Sequence, residues 1–172
     1  MGDEAAPLIV SALFGADDFA WLDALRRAHF PPERNHLAAH LTLFHHLPPS
    51  VEAETRRRLA GLTRGMPTPR AQAAGIQNLG GGTAIRIVSP ALEAMRAELA
   101  EAFTGLLTPQ DRAGWRPHVT VQNKVAADEA RRLQRSLEAD FVARPVAIAG
   151  LALWRYRGGP WEPVSRHMFT AG

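Results

Sequence analysis

Two rhythms of apolar residues take turns along this chain: short runs or alternations of strand length, and three-to-four spacings sustained over several helical turns. Residues 8–14 form an apolar run short enough for a buried strand and end at Gly15. Asp17 then opens a helix in which Phe19, Leu22, Leu25 and Ala28 share one face until Pro31 and Pro32 stop it. A strand follows at 39–47, and Pro48, Pro49 and Ser50 punctuate its end. A helix over about 51–63 turns Leu59 and Leu62 inward and Arg56, Arg57 and Arg58 largely outward. Residues 70–79 and 83–88 read as a hairpin across Gly80, Gly81 and Gly82, a flexible turn.

The second half repeats this order. Ser89 is an N-cap residue, Pro90 suits the first helical position, and Leu92, Met95, Leu99 and Phe103 mark one helix face. Residues 108–116 read as a loop, 117–125 as a strand, and 128–137 as a helix with Leu133 and Leu137 inward. The tail closes as a second hairpin, 145–156 against 161–169, around Arg157, Gly158, Gly159 and Pro160. Helix, strand, helix and hairpin thus occur twice, a degenerate internal repeat with little residue identity between its halves. The expected fold is α+β: one domain over 1–172 built of two lobes, whose antiparallel sheets line a central cleft with helices outside.

Each half carries one short pattern in its strand, His40-Leu41-Thr42-Leu43 and His118-Val119-Thr120-Val121. With seven histidines and fourteen serines and threonines, chance supplies roughly 0.6 His-x-Ser/Thr, so it is the matching context of the two that carries weight. Side chains alternate along a strand, so His40 and Thr42 share one face over Leu41 and Leu43, as His118 and Thr120 do over Val119 and Val121. Each unit offers an imidazole and a hydroxyl to a polar face while anchoring itself in a core. That pair suits phosphate chemistry. An imidazole with an unperturbed pKa near ~6.5 serves as base or acid, and a hydroxyl donates to non-bridging oxygens where charge must be stabilised.

The two motifs resemble those of the 2H phosphoesterase superfamily, which includes bacterial 2′-5′ RNA ligases and RNA 2′,3′-cyclic phosphodiesterases. The resemblance implies a bilobal pseudo-two-fold fold over nearly the whole chain, with His40 and His118 catalytic on opposite walls and Thr42 and Thr120 binding phosphate. It implies a cyclic phosphodiesterase, a hydrolase acting on 2′,3′-cyclic phosphate or 2′-5′ linkages in RNA or an oligonucleotide, with 2′-5′ RNA ligation as a related activity that needs no ATP. The alternatives are a small-nucleotide cyclic phosphodiesterase, including one for an ADP-ribose cyclic phosphate, and an RNA-binding module without turnover. Which histidine is base and which is acid is not legible in the sequence.

Continued alternation extends the face of His40 and Thr42 to Phe44 and His46, and that of His118 and Thr120 to Gln122 and Lys124. Phe44 is then placed to stack on a base, with ordinary packing as the alternative, and Lys124 or His46 to meet phosphate at the rim. Ligase-type relatives often carry an arginine two or three residues after the second motif; here Gln122, Asn123 and Lys124 stand there, and Arg116 is another nearby cation. Trp154, Tyr156 and Trp161 alternate with Arg155 and Arg157 and read as core of the closing hairpin rather than as a stacking surface.

Composition narrows the field. A hydrophobic share of 46% suits a folded domain with an ample core. No apolar run approaches the ~20 residues of a bilayer span. The acidic start, Met1-Gly2-Asp3-Glu4, is unlike a basic signal peptide, and Ala6 stands where myristoylation needs Ser or Thr. With no cysteine the chain has no disulfide or thiolate ligand, which fits the cytoplasm. Nineteen arginines and one lysine read as the mark of a GC-rich bacterial genome, mostly on solvated helix faces. No metal and no cofactor is expected: His45 and His46 are adjacent on a strand and face opposite ways, His-Glu-x-x-His is absent, and the glycine triplet lacks the Lys-Ser/Thr of a P-loop. Gly-x-Ser-x-Gly is missing too. A monomer with no membrane partner is expected.

Overall fold

The computed structural model describes residues 6–170. The acidic start at residues 1–4 lies outside them. Each half begins with a strand, runs into a helix, returns as a motif strand, and continues through a helix into a further strand. The first half comprises β1 (Leu8–Phe14), α1 (Ala16–His29), β2 (Leu41–Leu47), α2 (Glu52–Gly65) and β3 (Arg70–Asn78). The second comprises β4 (Thr83–Val88), α3 (Pro90–Ala102), a short α4 (Pro109–Arg112), β5 (His118–Gln122), α5 (Ala127–Asp140) and β6 (Arg144–Arg155), closed by β7 (Glu162–Met168). Short 3-10 turns at Pro32–Arg34 and Pro49–Val51 flank β2. The expected Ser89 cap is formed, its Oγ accepting from the amide of Leu92.

All strand pairs are antiparallel, in the order β2-β1-β6-β3-β4-β5, with β7 also on β6. The two expected sheets are joined by the 12-residue β6, whose first residues pair with β3 and whose remainder pairs with β1 and β7. The motif strands β2 and β5 are therefore the two ends of one path, and those ends come into contact. This arrangement makes the cleft. An unpaired strand edge exposes a row of amides and carbonyls that something must cover, and here helices and side chains from the opposite half do so.

One apolar cluster runs through both halves, from Leu8, Val10 and Leu41 to Ile85, Val119 and Leu153. The turn between β3 and β4 is pinned rather than loose. A Cβ on Gly82 would sit 2.2 Å from the Gln122 carbonyl oxygen, and the Val125 amide donates to the Gly81 carbonyl at 3.0 Å, so the glycines let the hairpin seat against the end of β5. Residues 108–116, expected as a loop, contain α4, whose N-cap Thr108 accepts from the Asp111 amide.

Candidate active site

In both motif strands one extra residue interrupts the ladder just after the threonine. Ser11 pairs with Thr42 but Val10 pairs with Phe44, leaving Leu43 over; Ala84 pairs with Thr120 but Thr83 pairs with Gln122, leaving Val121 over. A bulge of this kind reverses the side-chain alternation beyond it. Two successive buried residues, Leu43-Phe44 and Val121-Gln122, are its signature in each strand.

The bulges correct two expectations. Phe44 does not face the cleft: it is 0% exposed, in the core beneath the guanidinium of Arg96, whose Cζ lies 4.4 Å from the ring centroid. Lys124 does not share the face of His118 either. β5 ends at Gln122, whose amide oxygen accepts from the buried Thr83 hydroxyl, and Lys124 follows on an exposed left-handed turn with φ of 61°. His46 is exposed and outside the cleft wall, giving only its amide to Asp111.

His40, Thr42, His118 and Thr120 converge on one cleft of about 310 Å³. The two imidazoles are held alike. Nδ1 of His40 lies 2.9 Å from the carbonyl of Ala38, and Nδ1 of His118 lies 2.7 Å from that of Arg116, in each case two residues back along the chain. A carbonyl oxygen only accepts, so each Nδ1 carries a proton and each Nε2 is the nitrogen free to exchange one. Burial pushes the pKa of His40 down to about 4; the Ala38 carbonyl opposes this, and the charges of Arg26, His45 and His118 add to it. Trp161 encloses the ring, with centroids 4.5 Å apart. His40 is thus neutral at ordinary pH.

Other residues line the cleft too, and of Trp161, Gln77 and Arg116 only Gln77 has no signal in the sequence. Trp161, expected as hairpin core, lines both this cleft and a larger groove of about 750 Å³ flanked by Phe14, Phe19 and Trp154. Gln77 lines the cleft from β3, and its Oε1 is buried with no hydrogen-bond partner among the described residues. Arg116 lines it as well.

His45 reaches the cleft because of the first bulge, and its Nδ1 lies 3.0 Å from the carboxylate of Asp111. Asp111 is 0% exposed; it also accepts from the amides of His45 and His46, covering the outer edge of β2. Burial alone would raise its pKa, but the hydrogen bonds from the His45 side chain and the two amides outweigh that and hold it below the usual carboxylate value.

Two buried arginines brace the strands from the opposite half. Arg26 on α1 donates to the Thr120 carbonyl, and Arg96 on α3 donates to the carbonyls of Leu43 and Asp111. The indole of Trp115 donates to the Thr42 carbonyl. Among the described residues no group of three or more His, Asp or Glu is arranged to hold a metal ion, and no helix is long and apolar enough to cross a membrane.

Comparison with solved structures gives the same architecture end to end. TT0787 of Thermus thermophilus superposes with a TM-score of 0.63 at 15% identity, over 95% of this chain and 97% of that one. Escherichia coli LigT complexed with 3′-AMP gives 0.56 at 20% identity, over 97% and 99%. The same LigT complexed with NADP+ gives 0.58 at 19% identity, again over 97% and 99%. No curated protein matches the sequence. The family model of the 2′-5′ RNA ligase superfamily matches residues 15–160. The chain therefore belongs to the 2′-5′ RNA ligase superfamily, one of the 2H phosphoesterases.

Proposed function

We propose that this protein is a phosphodiesterase that opens 2′,3′-cyclic phosphates, or cleaves 2′-5′ linkages, at the ends of RNA, with His40 as base and His118 as acid. The observation that carries this reading is the matched fixing of the two imidazoles, each by a carbonyl two residues back, with both Nε2 atoms left for one cleft. The assignment of roles rests on the burial that keeps His40 unprotonated, as a base must be.

In this reading the oxygen of water bonds to phosphorus while its proton passes to His40 Nε2. The bond from phosphorus to one ribose oxygen breaks, and that oxygen takes the proton of His118 Nε2. Thr42 and Thr120 donate to the non-bridging oxygens, where charge must be stabilised during displacement. A ribose 5′-hydroxyl in the place of water makes the same step a ligation, with no nucleotide triphosphate consumed. A cysteine-free chain suits the cytoplasm as the place of work.

The test is turnover of three substrates: an oligonucleotide ending in a 2′,3′-cyclic phosphate, a 2′,3′-cyclic mononucleotide and a 2′-5′ dinucleotide. The expected product is a terminal phosphate monoester. His40→Ala and His118→Ala should each lower turnover by at least ~10²-fold, the scale for removing a positioned acid or base, with folding intact by circular dichroism. No turnover of any of the three, or near-normal turnover by both variants, rejects the reading.

A further inference from the structure

We infer that His45 is a third substrate-facing imidazole of the cleft, held by the buried Asp111 so that its Nε2 donates to a phosphate oxygen. The inference rests on the phosphoesterase reading and adds to it a residue outside both His-x-Thr motifs. Straight alternation from His40 and Thr42 turns His45 into the core. The bulge at Leu43 turns it onto the cleft instead, while Phe44 takes the core position.

Three features set His45 apart from a solvated strand end. Its ring is anchored at Nδ1 by a carboxylate, 3.0 Å away, which can only accept; the remaining nitrogen, Nε2, is the one available to a ligand. The anchor is itself fixed, since the Asp111 carboxylate takes the amides of His45 and His46 and its main-chain carbonyl takes Arg96 Nη2 at 2.7 Å. A carboxylate behind an imidazole orients it and balances the positive charge it carries when both nitrogens donate. The side chain is also 41% exposed although its partner is fully enclosed, and it lines the cleft, so the ring is tethered at Nδ1 and open elsewhere.

The ligand chemistry follows from the neighbours. His45 shares its cleft with Arg116, Thr42 and the two motif histidines, and the Asp111 carboxylate is already engaged by three N–H groups. The group that suits such a donor is an anionic oxygen. In an RNA end this oxygen belongs to the reacting phosphate or to the next phosphate along the chain.

His45→Gln keeps a polar group of similar reach and removes the anchored imidazole. Hydrogen bonds to charged groups are worth enough that their loss weakens binding about tenfold or more. The expected result is a KM raised about tenfold with kcat within about threefold of the parent. Equal loss for a 2′,3′-cyclic mononucleotide, a cyclic-phosphate oligonucleotide and titrated inorganic phosphate assigns the contact to the reacting phosphate. Loss confined to the oligonucleotide assigns it to the neighbouring one. Asp111→Asn should reproduce the rise in KM and add nothing to it in the His45→Gln background, which a purely structural role does not predict. Should Asp111→Asn fail to fold, His45→Gln alone decides. Unchanged KM for both substrates with unchanged phosphate affinity overturns the inference. The phosphate titration also separates it from the parent reading: a protein without turnover that loses phosphate affinity on His45→Gln keeps the contact and loses the reaction. A protein that neither turns over these substrates nor binds phosphate loses both.

Discussion

Arg26 Nη1 donates to the carbonyl of Thr120 across 2.9 Å, so the first helix of one half grips the motif strand of the other. Arg96 returns the grip by donating to the carbonyl of Leu43 at 3.1 Å. The two arginines hold matching places, each four residues after a fully buried leucine, Leu22 or Leu92. Both hold the backbone where the strand bulges just past a motif threonine. Burial lowers the pKa of each from that of free arginine, with Asp23 opposing this at Arg26 and Asp111 at Arg96.

Arg26→Met and Arg96→Met keep most of the packing volume but leave those carbonyls without donors. An unsatisfied buried polar group costs about 1–3 kcal/mol, so each variant should unfold at lower urea with little change in the slope of its transition. Arg96→Lys should rescue poorly, because one ammonium cannot reproduce a fork that spans the Leu43 and Asp111 carbonyls. Parent-like urea midpoints for both methionine variants would show that the grip contributes nothing.

The depressed pKa of His40 fixes two pH profiles. A base must be unprotonated, so the acid limb of kcat/KM set by His40 should lie near its folded value of about 4 rather than near ~6.5. For stability, the unfolded chain binds a proton at His40 as the pH falls through ~6.5 while the folded chain does so only near 4. This residue therefore takes stability away as the pH drops through that window. Below it the contribution is constant, and His40→Asn should abolish it. An acid limb centred near ~6.5 in the parent rejects His40 as the base.

The sequence carried the periodic features and missed what the bulges decide. Residues 8–14, 70–79 and 83–88 read correctly because run length and glycine punctuation fix them locally, and the Ser89 cap because its chemistry is local too. Phe44 and Lys124 were misplaced for one reason: a bulge is set by pairing with a distant strand, and no residue type in 41–47 or 118–122 announces it. Asp111 and His45 meet across 66 positions, which a linear reading cannot join. Arg26 and Arg96 left a faint trace, a charge falling four residues after an inward leucine on each helix.

Lys124 tests this account at the level of stability. Its φ of 61° lies in the left-handed region, where a side chain costs roughly 1–2 kcal/mol relative to glycine. Lys124→Gly should therefore raise the melting temperature, and neither Lys124→Gly nor Lys124→Ala should alter KM for an oligonucleotide across a salt series. A rise in KM for both variants would return Lys124 to the substrate.

Acid, base and oxyanion donors are all side chains in the proposed reaction, so activity on a cyclic mononucleotide should persist in excess EDTA. The small substrate is the right one because magnesium also alters the shape of RNA. Loss of activity reversed by one particular metal would require a reaction scheme other than two-histidine displacement.

Trp161 gives the sharpest test of why His40 is neutral. Its ring lies 4.5 Å from the imidazole and lines both the cleft of the two motifs and the larger groove beside Trp154 and Phe19. Desolvation is the main cause of the low pKa, and a low-dielectric neighbour penalises the charged form of a histidine. Trp161→Ala opens that side to water, so the His40 pKa should climb from about 4 back toward ~6.5. The acid limb of kcat/KM should move to higher pH by the same amount, with activity at high pH less affected than activity at pH 5. Trp161→Phe keeps an aromatic wall and should shift the limb less. Direct titration of His40 by NMR in the three proteins reads the same change without turnover. A limb that stays put while the alanine variant remains folded would assign the depression to electrostatic interaction with Arg26, His45 and His118 instead.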